Sequence, residues 1–156
     1  MKKIFVLCIG MMGCNLPNFE PPVQPAPRTG TPVEASFTKT WDAVIDIFSE
    51  RNIRIKTMDR TSGLIVAETN SAVGLTEGQL NDYADCGGYG PTLRTYPNFV
   101  TYNILVRGDS TKSIVKANAL WEKRSTSQYD LARDCVSKGN WEILIERAVL
   151  EIAQRK

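Results

Sequence analysis

The apolar positions of this chain run at helical spacing, then alternate, then return to helical spacing between residues 37 and 155, and these runs mark its elements. Phe37, Trp41, Val44, Ile45 and Phe48 follow one another at helical spacings, which predicts a helix from about Phe37 to Arg51 with Asp42, Asp46 and Glu50 turned away from the apolar stripe. The period then drops to two. Ile53 and Ile55 alternate with Arg54 and Lys56, "DRTSG" reads as a turn, and "LIVAET" reads as a returning strand. A second alternating run places Val100, Tyr102, Ile104 and Val106 against Thr101, Asn103 and Arg107, and ends at "RGDSTK". The strand after it sets Val115, Ala117, Ala119 and Trp121 against Lys116 and Asn118. Helical spacing returns with Trp141, Leu144, Ile145, Ala148, Val149 and Ile152, leaving Glu142, Glu146, Arg147 and Glu151 for the wet face.

The order is therefore helix, two strands, an insert, two strands, helix. Neither helix buries its stripe on the other while the sheet keeps an apolar face, so both are expected on one side of the sheet. The predicted fold class is α+β, a two-layer sandwich of a four-stranded antiparallel sheet with two helices on one face. Its open face is expected to show Arg54, Lys56, Thr101, Asn103, Lys116 and Asn118. The insert, residues 70–98, is long for a loop, and loops of that length are often functional. Within it Thr76 and Gln79 have capping-box spacing, which predicts a short helix from Glu77 to about Ala84.

Ahead of residue 34 the pattern disappears. Six of the eight prolines lie between Pro17 and Pro32, a stretch whose only charges are Glu20 and Arg28. Such a segment favours an extended, semi-rigid state, and at polyproline geometry its roughly 20 residues reach about 60 Å at most. The first residues read differently again. Lys2 and Lys3 precede an apolar run from Ile4 to Met12, shorter than the ~20 residues of a membrane-spanning helix and of the kind found in secretory signals. Met11, Met12, Gly13 and Cys14 resemble the bacterial lipobox, which implies a signal peptide over residues 1–13 and a diacylglycerol on Cys14. An ordinary signal cut a few residues further on is the alternative. Asn15, in place of the aspartate that marks inner-membrane retention, implies the outer membrane. The expected organisation is a signal over 1–13, a lipidated cysteine and proline-rich tether over 14–33, and a folded domain over 34–156.

Four cysteines fit this arrangement. Cys8 leaves with the signal, Cys14 carries lipid, and Cys86 and Cys135 remain as an expected disulfide in an oxidising compartment, the alternative being two buried thiols.

One stretch brings a family to mind. "TWDAVIDIFSERNIRIKTMDRTSGLIVAE", Thr40 to Glu68, resembles the repeated module of the BamC (NlpB) lipoproteins of the outer-membrane β-barrel assembly machinery, with Trp41, Asp59, Arg60 and Gly63 as the matching residues. The resemblance implies a helix packed on a strand pair, an outer-membrane anchor facing the periplasm, and a role in an envelope complex. This chain has one such module where those proteins have two.

Charge and chemistry narrow the function. Without Lys2 and Lys3 the basic residues number 17 against 17 acidic, so no global field draws the chain to nucleic acid. The absence of histidine removes Ser/His/Asp and Cys/His catalysis and the usual zinc sets. No cofactor is expected. Arg54 and Lys56 are candidate contacts for an anionic partner, and Tyr83, Tyr89 and Tyr96 are candidate interface residues, since tyrosine suits contacts with one dry and one wet side. The main expectation is a non-enzymatic, lipid-anchored, periplasm-facing binding or scaffold module with an envelope protein partner, peptidoglycan being a second possible ligand. The contrasting expectation is a glycan-binding protein or a glycan hydrolase using Glu77, Asp82 and Asp85, a cluster that also reads as a solvated acidic loop. A third is a lipid or small-ligand carrier, with a pocket enclosed by a helix lying over the sheet.

Overall fold

A computed structural model describes residues 19–24, 27–70, 76–88, 96–124 and 132–155. The signal, Cys14, Tyr89 and the side chain of Glu77 lie outside the described residues. In chain order the elements are β1 (Thr31–Val33), α1 (Phe37–Glu50), β2 (Arg54–Asp59), β3 (Leu64–Thr69), α2 (Glu77–Tyr83), β4 (Ala84–Asp85), β5 (Phe99–Gly108), β6 (Ser113–Lys123), β7 (Arg133–Ser137) and α3 (Asn140–Arg155).

The sheet runs β2-β3-β5-β6-β7-β4, with β1 also paired to β6, and every pairing is antiparallel. The α+β class and the antiparallel sheet are as expected. The counts are not: among the described residues seven strands replace four, and three helices replace two, the third being the short α2 that the capping-box spacing predicts. The extra strands β1, β4 and β7 have two to five residues each, too short for an alternating pattern to show.

The core lies where the two alternating runs meet the α1 stripe. Val100, Tyr102, Ile104 and Val106 of β5 and Val115, Ala117, Ala119 and Trp121 of β6 face Trp41, Val44, Ile47 and Phe48 of α1, all buried. Ser36 caps α1, its hydroxyl accepting from the Lys39 amide at 3.3 Å. Of the predicted α1 stripe Trp41, Val44 and Phe48 are buried and Phe37 and Ile45 partly so, while Thr40, Ala43 and Ile47 are buried in addition.

The α3 stripe departs from the spacing. Ile145, Val149 and Ala153 are buried, but so are Glu142 and Glu146, whereas Ile143 and Leu144 are exposed. The helix is rotated from the expected setting because both carboxylates are taken up by a strand edge, described below.

The four residues behind the BamC resemblance gather at one end of the domain. The Asp59 carboxylate accepts from the amides of Thr61 at 2.9 Å and Ser62 at 3.3 Å, closing the β2–β3 turn. Arg60 donates to Thr38 at 3.1 Å and lies over the Phe37 ring, which stacks on Trp41. Gly63 has φ +71°, and a Cβ there would clash with the carbonyl oxygen of Val106, whose own amide donates to the Gly63 carbonyl at 2.9 Å. Gly63→Ala combines a left-handed backbone with a backbone clash, so it is expected to lower stability by about 2–4 kcal/mol, read as a shift of the urea midpoint.

A second turn is held by charge. Asp109, exposed, accepts from the Lys112 and Thr111 amides and the Thr111 hydroxyl at 3.0, 2.7 and 2.7 Å, and these bonds lower its carboxyl to about 2. A depressed carboxylate adds stability that is complete above the unfolded value, near 3.8, and is lost as pH falls through about 2. Asp109→Asn is expected to lower the urea midpoint at neutral pH and to flatten its fall across that window, since the variant lacks the contribution that acid removes.

Candidate binding cleft

Strand β6 meets β1 through residues 113–115 and β7 through residues 121–123, both along the same edge. Between them the edge at residues 116–120 has no strand partner among the described residues, and its amides need acceptors. α3 supplies them. Glu146 Oε1 accepts from the Ala117 amide at 2.9 Å and Glu142 Oε1 from the Ala119 amide at 3.2 Å. Two glutamates four residues apart on a helix thus match two amides two residues apart on a strand, and the helix completes the sheet edge.

The two carboxylates differ in what else they hold. Glu146 is 1 % exposed, and its Oε2 accepts from Arg28 Nη2 and from the Thr31 hydroxyl, each at 2.6 Å. Arg28 also donates through Nη1 to the Gly139 carbonyl at 2.7 Å. Glu142 is 5 % exposed, and its Oε2 has no partner among the described residues.

These contacts move the start of the domain. Residues 27–33, expected to be free tether, are strapped along α3 and enter the sheet as β1, with Val33 buried at 1 % exposure. Further back, Glu20 pairs with Gly88, and the Phe19 ring lies 5.1 Å from the Arg133 guanidinium. Pro32 sits in a strand that has one neighbour among the described residues, where a missing N–H is tolerated.

Between the strap, the open face of β6 and α3 runs a cleft of about 910 Å³. Lys116 and Asn118 of β6 and Asn103 of β5 line it, with Glu142 and Glu146 beside them and Leu120 and Ile143 as exposed apolar walls. Lys116 makes no ion pair among the described residues.

The insert is pinned next to this region. α2 carries both capping-box bonds of Thr76 and Gln79, as the spacing predicts. Behind it β4 pairs with β7, and the Cys86–Cys135 disulfide stands one step along the same ladder. Asn140 Nδ2 and the Lys138 amide bond the carbonyls of Asp82 and Tyr83, each at 2.8 Å.

The proposed contact residues are not brought together. Arg54 is exposed on edge strand β2. Lys56 sits at the irregularity in the β2–β3 register and pairs with Glu68 at 3.1 Å. Tyr83 is half-buried in an aromatic cluster, its ring 6.2 Å from that of Trp121 and 5.3 Å from that of Trp141, so it packs α2 onto the domain. Tyr96 is also half-buried and packs against the core. Asp82 is exposed, while Asp85 closes a turn by accepting from the Gly87 amide at 2.9 Å. Among the described residues no three His, Cys, Asp or Glu side chains gather as a metal site. Burial, with help from the Glu142 carboxylate, pushes the Tyr102 hydroxyl up above its usual range, against the Arg51 charge.

No family model, curated protein or solved structure matches the chain. The cleft is therefore read from its own chemistry. Glu142, Glu146, Arg28 and Thr31 escape a reading of the sequence. The one signal for them is that apolar residues surround the first turns of α3 on nearly every side, so the segment "WEILIE" has no unambiguous wet face.

Proposed function

We propose that this chain is a lipid-anchored, periplasm-facing binding module of a bacterial envelope complex, of the kind that assembles outer-membrane proteins. The observation that carries the binding role is the cleft beside β6. Its walls come from four separate segments, its lining bears both signs of charge, and two exposed apolar side chains border it. Pockets that join apolar walls to a few convergent polar groups are the usual form of ligand sites. The Cys86–Cys135 disulfide supports an oxidising compartment, and the lipobox-like Met11 to Cys14 supports the anchor.

The strap changes how the module is held. With Phe19 and Glu20 docked, five steps of chain separate Cys14 from the domain, about 15 Å at polyproline geometry instead of 60 Å. The module works close to the membrane surface, within reach of partners embedded there.

A photoreactive residue at position 120, in the cleft, tests this in intact cells. It is expected to give a defined crosslinked envelope protein, whereas one at Met58, equally exposed on β2, is not. Equal labelling from both positions argues against the cleft as the contact surface. Recovery of barrel-assembly subunits supports the resemblance, and recovery of peptidoglycan alone replaces it with wall binding.

A further inference from the structure

We infer that the cleft takes a small zwitterion of the amino-acid or short-peptide class, its ammonium on Glu142 and its carboxylate on Lys116. The inference rests on the reading of the chain as a binding module and not on its anchor.

Glu142 carries the first half. It lines the cleft, is 5 % exposed, and keeps one carboxylate oxygen without a donor, whereas Glu146 one turn on has three. The buried indole N–H groups of Trp121 and Trp141 are also unpaired, so neither reaches that oxygen. An unpaired buried carboxylate oxygen is costly, and a charged N–H donor from a ligand removes the cost. Because Oε2 is closed off in the arrangement seen, the carboxylate has to turn outward to meet the donor. The Ala119 amide, bonded to the other oxygen, reports that turn.

Lys116 carries the second half. Of the three cations in the lining, Arg28 is committed to Glu146 and Gly139, and Lys138 Nζ donates to the Asn81 carbonyl at 2.5 Å. Lys116 is left to receive an anion. With Arg28 and Glu146 neutralising each other, the lining leaves one carboxylate, Glu142, and one ammonium, Lys116, to answer a ligand, and a ligand with both charges matches both. Leu120 and Ile143, 55 % and 42 % exposed, offer apolar contact to what lies between the charged ends.

The test is an amide-resolved NMR titration of the full chain in detergent micelles with trialanine, N-acetyl-trialanine and trialanine amide. Trialanine is expected to shift the Ala119 amide saturably, and each blocked peptide to bind at least about tenfold more weakly. Glu142→Gln, which keeps an acceptor for Ala119, is expected to weaken trialanine by about tenfold or more, and Lys116→Met provides the same reading should the glutamine variant fold poorly. Absence of a saturable shift up to about 50 mM trialanine, or equal binding of the blocked peptides, overturns the inference. Neither result bears on the anchor, which is read from the mass of the N-terminal peptide.

Discussion

Glu146→Leu is expected to lower stability by about 3 kcal/mol, roughly 10 °C in the thermal midpoint of a domain this size. The carboxylate gathers an arginine, a threonine hydroxyl and a strand amide, and it is almost wholly buried. Its removal leaves the Ala117 amide without an acceptor inside the domain and releases the strap that carries β1. Arg28 is about a quarter exposed, so water compensates it in part, and Arg28→Met alone is expected to cost less, about 1 kcal/mol. The double variant is expected to match Glu146→Leu and not the sum, since both singles break one network. A loss under about 1 kcal/mol for Glu146→Leu, by urea midpoint, contradicts the edge-capping role.

Loss of the Cys86–Cys135 disulfide has the second large effect. The linked cysteines stand 49 residues apart, and loop-closure entropy for that span gives about 4 kcal/mol. The structure adds where the damage falls. β4 is two residues long and α2 seven, and beyond the bridge both are tied to the domain by the short β4–β7 ladder, the Lys138 and Asn140 bonds and the Tyr83 ring. The Cys86→Ala, Cys135→Ala variant is expected to lose amide-exchange protection over residues 77–88 well before the β5–β6 hairpin does. Protection lost evenly across the sheet, or a stability change under about 1 kcal/mol, argues against this division of the fold.

How much of this was legible in the sequence follows from what hydrophobic period can see. The α1 stripe, both long hairpins and the α2 capping box have strong local patterns, and the structure has them where the pattern puts them. The cysteine pair needed only counting and a compartment. The strap did not show, because "RTGTPV" holds one apolar side chain of consequence, Val33, and its ties are the polar ones of Arg28 and Thr31 to a residue over a hundred positions away. The setting of α3 was misread for a related reason. Period analysis counts a glutamate as wet, and cannot know that a neighbouring strand edge lacks two acceptors. The cleft therefore stayed hidden in the sequence, since its walls are a strap that looked like linker and a helix face that looked like surface.

We propose that an acyl chain on Cys14 holds this envelope module to a membrane. Mass spectrometry of the N-terminal peptide from the protein purified out of its native membranes tests it most directly. The account predicts a peptide that begins at Cys14 and carries diacylglycerol, with Cys86 and Cys135 oxidised. A peptide that begins at Met1 without fatty acid, beside two free thiols, contradicts it.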